Sequence, residues 1–189
     1  MQAFARTQPG SQGAPYSSVA VLLHWTLAVA LIGQLALGWW MLDLPKSPPG
    51  LRAGWFNLHK SIGITIGLFA LLRLAWRAGH SPPQDRQLPA WQQRAASTSH
   101  ALLYVCMIGL PLSGYLGSSF SGYPVRLFGW TLPSWTEAWP AGKLFMSGTH
   151  QALVWTFMLL AAMHVAAAFG HWWRADGIAG RMGMPSSRR

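Results

Sequence analysis

Four long apolar runs, separated by short stretches rich in proline, arginine and tryptophan, set the pattern of this chain. Val19 to Leu42 holds no charged residue, Ala53 to Leu72 holds only Lys60, Ala101 to Val125 holds none, and Leu144 to Trp173 runs thirty residues without Asp, Glu, Lys or Arg. Each reaches the roughly 20 residues that an α-helix needs to cross the hydrocarbon core of a bilayer. The pattern therefore predicts an all-α integral membrane four-helix bundle, residues 16–175, with spans over about 17–42, 53–76, 98–120 and 144–173. The first run is too long for the cleavable apolar segment of a signal peptide, and Trp39, Trp40 and Asp43 follow it where small residues would mark a cut, so it is expected to stay as a helix. Residues 1–15, rich in Gln, Gly, Ser and Pro, read as a mobile cytoplasmic arm, and residues 176–189 as a cytoplasmic tail.

Composition agrees with a membrane class. Of 189 residues, 51% are hydrophobic and only 10% charged, against about a quarter charged in soluble proteins. Nine of the 14 basic residues fall on the side that holds both termini and the loop between the second and third helices; Lys46, Arg52, Lys60, Arg126 and Lys143 fall on the other. The positive-inside rule then puts both termini in the cytoplasm. A net charge of +10 could suggest nucleic acid, but the cations sit in short loops beside apolar spans, where topology and anionic lipid account for them.

Tryptophans at helix ends, such as Trp39, Trp40, Trp55, Trp76, Trp172 and Trp173, read as interfacial belts. The single cysteine, Cys106, lies among apolar residues and reads as packing. Pro111 inside the third span is expected to bend that helix, and the loop over about 121–142 is long enough to cap the outer face.

The chemistry lies in the histidines. His150 and His164 are fourteen residues apart on one apolar helix; that spacing climbs about 21 Å and turns through almost four revolutions, so both rings leave the same face at different depths. With antiparallel helices, His24 comes level with His164, and His59 with His150. A lone histidine in a core is most often just hydrogen-bonded, but ionisable residues inside lipid are costly and usually functional. Two level pairs of neutral imidazoles suit axial ligation of haem iron. Gly33, Gly38, Gly63, Gly67, Ala161, Ala162 and Ala166 would let a flat macrocycle approach, or would simply tighten helix packing. The competing reading, a cation or proton pathway, normally uses buried carboxylates, and Asp43, Asp85, Glu137 and Asp176 all fall in loops.

The residues Leu23-His24-Trp25, His59-Lys60-Ser61-Ile62-Gly63, Arg73 with Trp76-Arg77, Pro111-Leu112-Ser113-Gly114-Tyr115, the His150, His164, His171 series, and the closing Asp176-Gly177 and Arg181-Met182 stand in an order that spans nearly the whole chain after Pro15. In these the chain resembles the prokaryotic cytochrome b561 family, whose signature overlaps that of the membrane cytochrome subunits of nickel hydrogenases. The resemblance implies a bundle holding two b-type haems, ligated by His24, His59, His150 and His164, that exchanges electrons between the outer face and a membrane quinone. One member of the family oxidises superoxide outside and reduces ubiquinone inside; Arg52, Lys60, Arg126 and Lys143 are the outer cations that would steer such an anion here.

His100 and His171 are the candidates for a quinone site near the inner haem, where imidazole can hydrogen-bond a carbonyl and relay a proton. Arg73 or Arg77 would stabilise negative charge on a half-reduced quinone. In the plain case His171 is an interfacial residue and His100 a helix-start residue facing water, and His80 is solvated in its turn. Two functional classes follow: a superoxide:ubiquinone oxidoreductase acting alone, or a haem-bearing subunit serving a partner dehydrogenase or hydrogenase.

Overall fold

A computed structural model of the protein describes residues 16–47, 50–80 and 88–183. The arm over residues 1–15, and with it Arg6, lies outside that range, as do Pro48, Pro49, Pro82, Pro83, Asp85, Arg86, Arg188 and Arg189. Four helices make up the fold: α1 Ser18–Trp40, α2 Leu51–Gly79, α3 Ala90–Ser119 and α4 Pro140–Trp173. All four are long and apolar enough to cross a membrane. Ser17 starts α1 by accepting the Ala20 amide on its hydroxyl at 3.3 Å, which satisfies one of the donors that a helix start leaves open. Pro140 opens α4 at the position where a missing amide hydrogen costs nothing.

Two helices are longer than their apolar spans. α3 begins at Ala90, so His100, expected at the helix start, lies ten residues inside it. The extra turns carry Gln92, Gln93 and Arg94, residues of good helix propensity that an apolar-span reading cannot detect. α4 likewise begins at Pro140, four residues before the uncharged stretch.

Consecutive helices pack on one another, α1 on α2, α2 on α3 and α3 most closely on α4, whereas the α1 and α4 backbones approach each other little. The buried core is Leu27, Ile66, Ala70, Tyr104, Cys106, Met107 and Phe157. Gly67 is needed where it stands: a Cβ there would meet the Pro111 ring at 2.8 Å, so the proline of α3 rests directly on the α2 backbone. The outside of the bundle is apolar, with Leu22 67%, Val29 69% and Ile32 70% exposed on α1 alone. In water such a surface would aggregate; in hydrocarbon it is the expected exterior.

The two ends of the bundle differ. At the cap end the α3–α4 connection folds back as a small antiparallel hairpin, β1 Arg126–Leu127 and β2 Trp130–Thr131, turning through Phe128 and Gly129 at positive φ of 47° and 93°. It is seated on α2 by Ser61, 1% exposed, whose hydroxyl accepts the Phe128 amide at 2.9 Å and faces the carbonyls of Asn57 and Arg126 at 2.8 and 3.2 Å. At the tail end, where the chain enters α1 and leaves α4, a 3-10 turn over Ala179–Met182 packs on α4 and is tied to the start of α1 by hydrogen bonds. The Tyr16 amide reaches the Arg181 carbonyl at 3.3 Å and the Trp25 indole the Met182 carbonyl at 3.0 Å.

Replacing Ser61 by alanine removes the hydroxyl with little change in volume and leaves the Phe128 amide without its acceptor, which costs about 1–3 kcal/mol. The hairpin is then expected to loosen while the helices stay folded. Hydrogen exchange at the Phe128 amide should quicken about tenfold or more, with helix-core amides unchanged; equal protection in both proteins would show that the hairpin is held elsewhere.

Candidate functional site

Four helices in antiparallel order bring the histidines together in level sets. At the cap end, His59 of α2 and His150 of α4 face each other with ring centres 6.5 Å apart and planes crossed at 72°. At the tail end, His24 of α1 and His164 of α4 lie 6.1 Å apart at 68°. His100 of α3 also reaches His164, at 5.3 Å, so His164 stands between two imidazoles. A metal held between two ring nitrogens at about 2 Å from each sets the ring centres about 6 Å apart. The His24–His164 and His59–His150 separations sit near that value, and the His100–His164 separation falls short of it.

The cap-end pair lines a cavity of about 380 Å³ together with Gln34, Lys60 and Trp155, within the range of small-molecule and cofactor pockets. Three observations bear on whether a porphyrin suits it. The His150 Nδ1 lies 3.0 Å from the Leu110 carbonyl, so it carries the hydrogen and leaves Nε2 with its lone pair for a metal. The Ser113 hydroxyl, 3.1 Å from the same nitrogen and 3.0 Å from the same carbonyl, steadies that ring. His59 Nδ1 and Gln34 Oε1 are buried without a partner, an expense of about 1–3 kcal/mol each that a bound group can remove.

Glycines make room as the cavity requires. A Cβ at Gly38 would meet the His59 ring at 3.1 Å, and one at Gly114 the His150 ring at 3.4 Å. Gly63 serves a neighbour, since a Cβ there would meet the Gln34 amide nitrogen at 3.1 Å, while Gly33 has nothing within 4 Å. Ala161 packs against the core; Ala162 and Ala166 are exposed. The residues at the cap end thus fit a porphyrin.

The tail-end pair is differently supported. Arg73 of α2 donates through Nη2 to His24 Nδ1 at 3.2 Å and through Nη1 to the Tyr104 hydroxyl, with its guanidinium 5.5 Å over the Tyr104 ring. Arg73 Nε and Trp76 Nε1, one turn further along α2, are buried with no acceptor. His171 is fixed by Asp176, Nδ1 to Oδ2 at 2.6 Å, and Asp176 also caps the Ile178 amide at 3.1 Å. Arg77 is half-buried on α2. His80 is exposed and stacks on Trp76 at 4.0 Å.

Among the cations expected at the outer face, Arg126 and Lys143 are exposed. Arg52 reaches the Leu44 carbonyl at 3.4 Å and lies over the Phe56 ring. Lys60 is half-buried on the cavity wall beside His59. Among the described residues no three His, Cys, Asp or Glu side chains gather as ligands for a bare metal ion.

Sequence reasoning assigned no role in the site to four participants. Gln34, which donates to the His59 carbonyl at 2.7 Å, was detectable as the only amide in a long apolar run. Ser113 and Tyr104 carry no signal of their own, because their roles depend on which helix lies opposite. Asp176 was noted as a loop acid, yet its contact with His171 requires the chain to reverse after α4.

Comparison with known proteins gives two findings. The sequence model of the family described as prokaryotic cytochrome b561 matches residues 15–184. Relatives include cytochrome b561 homolog 2 of Escherichia coli (strain K12), 32% identical over 164 residues that cover 82% of this chain and 84% of that protein. Cytochrome b561 homolog 1 of the same organism is 28% identical over 175 residues, covering 88% and 96%.

Proposed function

The chain belongs to the prokaryotic cytochrome b561 family, a membrane haem protein that transfers electrons, and on that premise we propose that it carries them across a bacterial inner membrane, from superoxide outside to ubiquinone inside. The tail end, with both termini, is then cytoplasmic, and the cap end faces outward. What chiefly supports a path across the membrane is the pair of level histidine contacts, with ring centres 6.5 Å and 6.1 Å apart, set fourteen residues apart along α4. A b-type haem, when bound, supplies one-electron exchange.

The chain's own residues divide the work. His59 and His150 hold the outer haem, and the Leu110 carbonyl keeps His150 in the ligating tautomer. His24 and His164 hold the inner one. Arg126 and Lys143, exposed, and Lys60, on the cavity wall, draw a small anion toward the outer pair. His100, beside His164, and His171 accept a quinone at the inner end, near Arg77. Asp176 holds the His171 ring through Nδ1, which leaves Nε2 of the protonated ring to donate its hydrogen to a quinone oxygen. Two superoxide ions give up one electron each and leave as dioxygen; those electrons and two cytoplasmic protons convert one quinone to quinol.

Rapid mixing of the purified protein with superoxide tests the reading. Haem reduction close to the diffusion limit is expected; no decay of superoxide beyond that in buffer would rule it out and favour a subunit that serves a partner dehydrogenase. His171→Ala is expected to retain both haems and to lower quinone turnover about 10²-fold or more, the usual worth of a positioned proton-transfer group. Unchanged quinone kinetics would move the acceptor site elsewhere.

A further inference from the structure

Arg73 is a guanidinium inside a span of α2, half-buried, and among the described residues no carboxylate meets it. Asp43 and Glu137 belong to the cap end, and Asp176 is bonded to His171. A charge in lipid without a counter-ion is expensive. The partners Arg73 has are both neutral, the Tyr104 hydroxyl and the His24 ring, and its Nε is left with none, as is the neighbouring indole of Trp76. Two orphan donors beside an uncompensated cation form a half-built site for an anionic oxygen ligand.

The contact with His24 narrows the choice. A guanidinium can only donate, so the Nδ1 facing it must be an acceptor, and the hydrogen of the neutral ring then sits on Nε2. That tautomer has no lone pair left for iron. The Arg73–His24 bond and metal ligation by His24 therefore exclude each other.

We infer that Arg73 and Trp76 seat a carboxylate of the porphyrin held by His24 and His164, and that filling this seat draws Arg73 off His24 and frees the ring to ligate. The inference rests on the two-haem reading. A carboxylate accepts two parallel guanidinium hydrogen bonds and cancels the charge, whereas a neutral quinone carbonyl would leave the charge uncompensated. The sequence alone offered Arg73 to a quinone; its bond to a ligand histidine assigns it to the haem.

Potentiometric titration of the membrane-extracted holoprotein tests this. A cation beside a haem favours the reduced form, so Arg73→Gln should lower the reduced-to-oxidised ratio of the inner haem about tenfold at fixed potential, ~59 mV for a one-electron couple, while the outer haem titrates as before. Arg73→Lys should recover most of the shift. Trp76→Phe, which removes only the N–H, should move it the same way by less and guards against a misfolded arginine variant. Inner-haem titration unchanged in Arg73→Gln and Trp76→Phe, or a raised quinone KM without a potential shift, overturns the inference. A wild-type protein without an inner haem overturns the two-haem reading beneath it.

Discussion

His150→Ala is expected to lose the outer haem and keep the inner, and His164→Ala to do the reverse, each taking the protein from about two haems per chain to about one. The asymmetry follows from α4, the helix that supplies one ring to each pair, with the two rings fourteen residues apart along it. Loss of either α4 ring would leave a haem at that end to its partner histidine on another helix, His59 or His24. His24→Ala should match His164→Ala, whereas His100→Ala should keep both haems, although its ring lies 5.3 Å from His164. Pyridine-extracted haem per mole of protein reads the result directly. Retention of both haems in His150→Ala or His164→Ala would refute the ligand assignment; retention in His24→Ala with loss in His100→Ala would make His100 the partner of His164.

The second large effect concerns the cap end, the outer face under the proposed orientation. Arg126 and Lys143 are exposed there, so charge reversal at both should not disturb packing. Steering by a charged surface changes encounter rates of small ions by about 10- to 10³-fold, and the double reversal Arg126→Glu, Lys143→Glu is expected to slow haem reduction by superoxide at least tenfold at low ionic strength. The gap between variant and wild type should shrink as salt is raised, because at about 0.15 M the screening length falls to about 8 Å. Equal rates at low salt would mean that these cations do not guide the donor. A gap that ignores salt would point to a structural defect in the hairpin.

Much of this architecture could be read along the chain. An uncharged run cannot hide a membrane span, and fourteen residues between His150 and His164 fix their shared face by helical arithmetic alone. Depth matching paired His24 with His164 and His59 with His150, and the ring contacts agree. Contacts set by tertiary placement were not legible. Nothing local ties Ser61 to a hairpin amide 67 positions away, or Tyr104 to Arg73. The early start of α3 was hidden because Gln92, Gln93 and Arg94 form helix without being apolar. For Gly67 the sequence leaves open a macrocycle or close helix packing, and Pro111 on its surface decides for packing, a pairing that depends on helix register.

Two porphyrins held at two depths along α4 are the central claim, and the most direct measurement is the haem-to-polypeptide ratio of protein made with ample haem, read with a reduced-minus-oxidised spectrum. About two b-type haems per chain, resolved as two steps in a redox titration, is the predicted result. A colourless protein, or one that saturates at a single haem, would contradict it.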